Sequence, residues 1–181
     1  MEMFLKLFTQ KQSRLKLAAK DITLIALMVA VIEVCKVTLA NIPNVELTSF
    51  WIIMFTLCFG KLVFYAIPVF VLIEGAIWGF GIWWVMYLYA WPMLAVTVFS
   101  LRKMKTVWEW AFVSGVFGFL FGLLCAIPYI FTSGVAGAIT WWIAGIPFDL
   151  IHGVANFTIM LVLYKPIKSV MIKMENRRTE I

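Results

Sequence analysis

The chain has 181 residues, of which 64% are hydrophobic, 17% aromatic and 13% charged, and its mean hydropathy is +1.01. A soluble domain has roughly 45–50% apolar and about 25% charged residues, so the composition excludes an ordinary soluble protein and predicts an all-α integral membrane protein. The formal net charge is +6, but the basic residues flank apolar segments, where they orient a chain in the bilayer. Nucleic acid is therefore not an expected partner.

Turn residues and charges divide the apolar sequence into six expected membrane spans, where a spanning helix needs about 20 largely apolar residues. The Asn41-Ile42-Pro43-Asn44 turn would end the first span, Pro128 the fifth, and the Lys165-Pro166 pair the sixth. We expect one membrane domain over 1–181, a six-transmembrane-helix bundle with spans at 22–40, 47–60, 62–79, 82–101, 108–127 and 139–164.

Basic residues collect on one side of this topology. An even number of spans places both termini on the same side of the membrane. Every lysine and arginine except Lys36 is expected on that side. That side carries Lys6, Lys11, Arg14, Lys16, Lys20, Lys61, Arg102, Lys103, Lys105, Lys165, Lys168, Lys173, Arg177 and Arg178. The positive-inside rule predicts cytoplasmic termini in a multi-pass protein of the cell membrane. No small-residue cleavage site follows the first apolar run, so we expect this helix to be retained and not removed as a signal peptide.

Five ionisable residues remain inside the expected spans: Glu33, Lys36, Glu74, Asp149 and His152. A charge at the bilayer centre costs about 2.5–3.5 kcal/mol or more, so such residues are functional candidates. At a rise of 1.5 Å per residue, Glu33, Glu74 and Asp149 would lie about 10, 8 and 15 Å below the outer ends of their helices. Three acids on three helices are thus expected at a similar depth in the outer half of the membrane.

Two interpretations of these residues stay open. Glu33 with Lys36, and Asp149 with His152, have the i,i+3 spacing that places both members on one helix face. Each pair could therefore be neutralised internally and serve only to support the bundle. Alternatively, some of the five line a substrate cavity that opens to the outside.

Aromatic side chains cluster near the expected outer ends, among them Trp78, Trp83, Trp84, Tyr87 and Trp141. Tryptophan and tyrosine commonly form belts at membrane interfaces. Beside Glu74, the same residues would also suit a flat heterocycle, through stacking and cation–π attraction. The surplus of acids favours a neutral or cationic ring compound over a simple anion.

The first span carries a small-xxx-small step at Ala26 and Ala30. Small residues at this spacing allow another helix to approach closely. The partner helix could belong to this bundle or to a second protein.

Several segments together resemble the S components of energy-coupling factor (ECF) vitamin transporters. They are the loop NIPNVEL (41–47), the stretches FVLIEGAIWGFGIWWVMYLYAWP and AGIPFDLIHGVANF, and the alanine step within six short spans. The resemblance implies a membrane subunit that binds a small vitamin-like ligand near the outer face. It further implies a partner module of one transmembrane coupling subunit and two ATPases, with Ala26 and Ala30 docking on the coupling subunit. Loops at 41–47, 79–82 and 128–138 would cover the ligand, and the subunit would topple in the membrane to release it inside.

Two other functions remain as alternatives. The intramembrane acids could act as the relay of a stand-alone proton-coupled carrier or channel. Asp149 and His152 could instead serve an intramembrane enzyme, although a metal site would want more ligands than a single histidine. The chain has no GxxxxGK[ST] motif, so we expect ATP hydrolysis in the partner subunits. The substrate-binding subunit that the resemblance implies is expected to have no enzyme activity, catalytic residue, cofactor or metal of its own.

Overall fold

A computed structural model describes residues 17–180, and within this range the protein is helical and contains no strand. The basic segment with Lys6, Lys11, Arg14 and Lys16 lies outside the described residues. The first four helices are α1 (Ala19–Leu39), α2 (Thr48–Phe59), α3 (Val63–Trp78) and α4 (Ile82–Ser100), with a short 3-10 turn at Gly60–Leu62 between α2 and α3. They occupy the same stretches of sequence as the first four expected spans.

The remaining helical run, Val107–Glu180, is two helices joined at Gly134. Gly134 has φ 71° and ψ 173°, a conformation that residues with a side chain rarely adopt. We name the two parts α5 (107–133) and α6 (135–180). They pair antiparallel, because the ring of Tyr129 stacks on Trp141 with 4.8 Å between centroids, while Gly118 lies against Gly153.

The boundaries of these last two helices correct the sequence-based expectation. The expected loop at 128–138 does not exist, because α5 continues through Pro128 and the chain reverses at Gly134. Pro166 does not end α6 either, which runs to Glu180. Proline is tolerated inside helices of membrane bundles, where neighbouring groups satisfy the freed backbone carbonyl. The glycine, and not the prolines, therefore decides where the chain turns.

Four helical stretches of the described chain are long and apolar enough to cross a membrane: Ala19–Leu39, Thr48–Trp78, Ile82–Ser100 and Val107–Arg178. Most large side chains at the centre of the bundle are apolar, and Glu74 and Asn156 are buried among them. Among the apolar side chains with no more than 1% of their surface exposed are Met28, Ile53, Phe70, Leu94 and Met160. The fold is that of a helical membrane protein.

The two ends of the bundle differ in charge. At one end, which we call the basic end, Arg178 near the end of α6 pairs with Asp21 at the start of α1, and Lys20 donates to the Arg178 carbonyl oxygen over 2.9 Å. The chain reversals at 60–62 and 101–106 lie at this end, together with every described lysine and arginine except Lys36. At the opposite end, the loop end, lie the 40–47 loop, the 79–81 turn and Gly134.

Candidate functional site

A cavity of about 500 Å³ opens at the loop end, between the 40–47 loop and helices α4, α5 and α6. Sites for small organic ligands usually enclose about 300–1,000 Å³, so the cavity is large enough for one such molecule. Its polar lining comprises Lys36, Asn44, Glu46, Thr48, Asp149 and His152. Its aromatic and apolar lining includes Tyr87, Trp91, Phe121, Cys125, Trp141 and Phe148.

Glu46 attaches the 40–47 loop to α6. Nε2 of His152 lies 3.1 Å from Glu46 Oε1 and donates to it, while Glu46 Oε2 accepts the backbone N–H of Ser49 over 2.9 Å. A carboxylate at this position also interacts favourably with the N-terminus of α2. Burial alone would raise the pKa of the Glu46 carboxyl, but the His152 and Ser49 contacts outweigh it and hold the pKa at about 2. The Glu46 carboxylate is therefore ionised, and its contacts with His152 and Ser49 hold the 40–47 loop over the cavity.

Asp149 is the acid that α6 contributes to the cavity wall, with 8% of its surface exposed. Its Oδ1 atom accepts the backbone N–H of Gly122 on α5 over 2.9 Å, whereas Oδ2 has no hydrogen-bond partner in the described part of the chain. A side chain on Gly122 would collide with this carboxylate. Glycine at this position is what allows α5 and the acid to approach so closely.

Lys36 on α1 forms an ion pair with Glu74 on α3, whose side chain is fully buried. The ammonium group also donates to the Tyr87 hydroxyl over 3.0 Å and lies 4.7 Å from the centre of that ring. These contacts tie α1, α3 and α4 together beside the cavity. Glu33 is not the partner of Lys36, because both of its carboxylate oxygens are buried without a hydrogen bond to any described residue.

The two internal i,i+3 pairs considered from the sequence are therefore not the pairs that form. Lys36 forms its ion pair with Glu74 and not with Glu33. His152 forms its contact with Glu46 and not with Asp149. Spacing along a helix places two side chains on one face, but a neighbouring element can offer a nearer partner. The tertiary contacts decide both cases.

Of the ten side chains expected to bind substrate, five line the cavity: Lys36, Tyr87, Trp141, Asp149 and His152. Glu74 does not line the cavity, but it forms an ion pair with Lys36, which does. The cavity does not include Glu33, Trp78, Trp83 or Trp84.

The three tryptophans outside the cavity have different surroundings. Trp78, at the end of α3, has 55% of its surface exposed. The indole N–H of Trp84 donates to the Val71 carbonyl over 2.7 Å and so joins α4 to α3. Trp83 packs edge-on against Tyr87, with 5.3 Å between the ring centroids, in the layer behind the wall.

The sequence-based reasoning missed Glu46, Trp91 and Phe121 as cavity residues. Glu46 lies in a loop, where a charged residue does not by itself indicate a binding site. Only its position three residues before Ser49 indicates that it caps a helix. Trp91 lies one turn after Tyr87 on α4, and this spacing could have placed it on the same wall. Phe121 carries no polar atom and gives no signal in the sequence.

Ala26 and Ala30 are exposed on α1. The same outward face contains Ile22, with 57% of its surface exposed, and Val34, with 65%. The alanine step is therefore not used for packing inside this bundle.

Comparisons with protein-family models, with curated proteins and with solved structures found no match to this chain.

Proposed function

We propose that this protein is the substrate-specific S component of an ECF-type importer, which binds a vitamin or related micronutrient in the cavity at the loop end. The observation that carries the proposal is the cavity itself. It lies at the end of the bundle remote from the basic residues, and it combines aromatic walls with a few polar groups. Ligand sites of this composition are typical of small-molecule binding proteins. The ECF-like segments 41–47 and AGIPFDLIHGVANF supply part of that wall.

The orientation follows from charge. Ten of the described lysines and arginines lie at the basic end, and the loop end has only Lys36. By the positive-inside rule the basic end faces the cytoplasm, so the cavity opens outward in the cytoplasmic membrane of a bacterium. The chain then crosses the membrane six times, with α2 and α3, and α5 and α6, each forming a hairpin.

Energy for transport would come from partner subunits. The exposed alanine face of α1 is suited to close contact with another helix, and we assign it to the coupling subunit of a module that also contains two ATPases. The S component itself then hydrolyses nothing. It captures the ligand outside and releases it inside when it topples on the module.

Ligand binding tests the proposal directly. The purified full-length protein is titrated with a panel of water-soluble vitamins and their precursors while tryptophan fluorescence is recorded. We expect saturable, one-to-one quenching by one compound, because Trp91 and Trp141 line the cavity. A Trp108→Phe variant is the control, since Trp108 is 65% exposed and is not part of the cavity. Its affinity should equal that of the wild type.

Transport distinguishes the proposal from the alternatives. Cells that produce the protein with an ECF module should accumulate the ligand in an ATP-dependent manner, and proteoliposomes that contain the protein alone should not. Uptake driven by a proton gradient without any module would instead identify a stand-alone carrier. Chemical conversion of the ligand by the protein alone would identify an enzyme.

Labelling of single cysteines tests the orientation. In a background with Cys35, Cys58 and Cys125 replaced by alanine, Ile42→Cys lies in an exposed loop at the loop end, and Lys103→Cys lies in an exposed turn at the basic end. A membrane-impermeant maleimide should label Ile42→Cys in intact cells and Lys103→Cys only after permeabilisation. The reverse pattern would contradict the proposed orientation.

A further inference from the structure

Two buried polar atoms of the cavity wall have no hydrogen-bond partner among residues 17–180. One is the indole Nε1 of Trp91 on α4, a donor on a side chain with 2% of its surface exposed. The other is Oδ2 of Asp149 on α6, an acceptor on a side chain with 8% exposed. Buried polar groups are almost always hydrogen-bonded, and each exception needs an explanation. Both residues also line the cavity, so a ligand bound there lies beside an unpartnered donor and an unpartnered acceptor.

The two atoms belong to walls that the ring of Phe121 connects. The Trp91 and Phe121 ring centroids are 5.5 Å apart, and those of Phe121 and His152 are 4.9 Å apart. Asp149 lies one helical turn before His152. Tyr87 continues this aromatic surface, with its ring 5.2 Å from that of Trp91. A flat molecule against these rings would lie beside both Trp91 and Asp149.

The charges around the cavity oppose an anionic ligand. Glu46 and Asp149 line it, and the ammonium group of Lys36 is already engaged by Glu74. His152 is likewise engaged by Glu46. Within residues 17–180 no other lysine or arginine lies at the loop end. A carboxylate or phosphate group would therefore meet a surplus of negative charge and find no free cation.

Resting on the function proposed above, we propose that the ligand is a planar nitrogen heterocycle, neutral or singly cationic, that presents an N–H donor and an acceptor. The N–H group, from an amino or carboxamide substituent, bonds Oδ2 of Asp149. The acceptor, a ring nitrogen or a carbonyl oxygen, bonds the Trp91 indole N–H. The ring lies against Phe121 and Tyr87, where aromatic stacking adds to the hydrogen bonds. The volume of about 500 Å³ holds one such ring system with its substituents.

Matched pairs of compounds test whether an anionic group on the ligand weakens binding. Nicotinamide and nicotinate differ only in carboxamide against carboxylate, and thiamine and thiamine monophosphate differ only in a phosphate. Adenine and 2-aminopyrimidine complete the panel as neutral donor–acceptor rings. Affinity is measured by tryptophan quenching and by the ligand-induced rise in the melting temperature of the full chain. We expect at least one amino or carboxamide compound to bind, and any acidic or phosphorylated counterpart to bind at least tenfold more weakly.

Two isosteric variants test the assigned atoms. Trp91→Phe removes the indole N–H and keeps an aromatic ring, and Asp149→Asn removes the charge and keeps the shape. Each should weaken binding of the preferred compound at least tenfold, whereas Trp108→Phe should leave it unchanged. A melting temperature close to that of the wild type shows that a variant is folded. If a variant unfolds, the heterocycle assignment is still tested by comparing the affinities of the wild-type protein for the anionic compounds and for their uncharged counterparts.

The outcomes separate this inference from the function on which it rests. Tight binding of an anionic vitamin, or normal affinity in both variants, would overturn the heterocycle assignment and leave the S-component proposal intact. Absence of binding by every vitamin tested, together with absence of module-dependent uptake, would overturn both.

Discussion

The imidazole of His152 on α6 donates a hydrogen bond to the carboxylate of Glu46, 106 positions earlier in the chain, over 3.1 Å. This contact joins the loop between α1 and α2 to the wall that carries Asp149. The loop thereby covers one side of the cavity, and its position depends on a side chain from the far end of the sequence.

Loss of the Glu46–His152 contact should weaken the attachment of the 40–47 loop, which covers one side of the cavity. The Glu46→Gln substitution keeps the shape and removes the charge, so we expect the free energy of unfolding to fall by about 1–3 kcal/mol, the usual cost of losing a buried hydrogen bond to a charged group. Ligand dissociation should become faster, because the loop is held less tightly. Stopped-flow fluorescence and thermal unfolding measure the two effects.

The double variant Glu46→Gln/His152→Gln is the control for that prediction. Because the two residues are in direct contact, the loss in the double variant should be smaller than the sum of the two single losses. Additive losses would show that the two side chains act independently.

Acid should abolish the contribution of Glu46. The pKa of this carboxyl in the folded protein, about 2, is lower than its ordinary value of 4.5, because the His152 and Ser49 contacts outweigh burial. The unfolded chain therefore binds more protons between these values, and the stabilisation is complete above pH 4.5 and is lost as the pH falls towards 2. The difference in melting temperature between wild type and Glu46→Gln should narrow between pH 5 and pH 3. A difference that stays constant over this range would contradict the assignment.

The Lys36–Glu74 pair should behave as a buried ion pair. The Lys36→Met substitution leaves Glu74 buried without its partner, and such a break typically costs on the order of 3 kcal/mol. The Lys36→Met/Glu74→Met double variant removes both charges and should recover most of the loss. Thermal unfolding in detergent compares the three proteins. A double variant that is less stable than Lys36→Met would show that Glu74 has another role.

The α5–α6 contact should not tolerate a methyl group at Gly118. A Cβ atom at this position would lie 2.8 Å from the Gly153 Cα and 2.9 Å from the His152 carbonyl oxygen, and backbone atoms cannot move aside. We expect Gly118→Ala to destabilise the protein by about 1–3 kcal/mol, as overpacking does in other cores.

Gly145→Ala is the matched control, since apart from the adjoining residues and backbone of its own helix no described atom lies within 4 Å of the added methyl group. It should stabilise α6 by roughly 0.5–1 kcal/mol, because alanine is a better helix former than glycine. Equal effects at the two positions would argue against the close packing of α5 on α6.

Ala26 should matter for the partner and not for the ligand. Because Ala26 is exposed on α1, the Ala26→Trp substitution should leave folding and ligand affinity unchanged and abolish co-purification with the coupling subunit. Leu88→Trp, at a position on α4 with 50% of its surface exposed, is the control and should co-purify normally. Co-purification of both variants would place the docking surface elsewhere.

The sequence by itself determined the all-helical, membrane-spanning class and the segregation of charge. Both depend on local composition: apolar runs long enough to span a bilayer, and basic residues confined to particular connections. The same reasoning brought Lys36, Tyr87, Trp141, Asp149 and His152 forward as candidates, and these residues line one cavity.

Only the tertiary structure decided the partners of the buried charges. The i,i+3 spacing of Asp149 and His152 shows that they share a face, but it does not say what that face meets. The answer depends on how closely α5 and α6 approach at Gly118 and Gly153, and on where the 40–47 loop lies above them. The prediction that a helix ends at Pro128 was wrong, because α5 continues through this residue and the chain turns at Gly134. Neighbouring groups in a packed bundle can satisfy the backbone carbonyl that a proline frees, and the sequence alone does not show that packing.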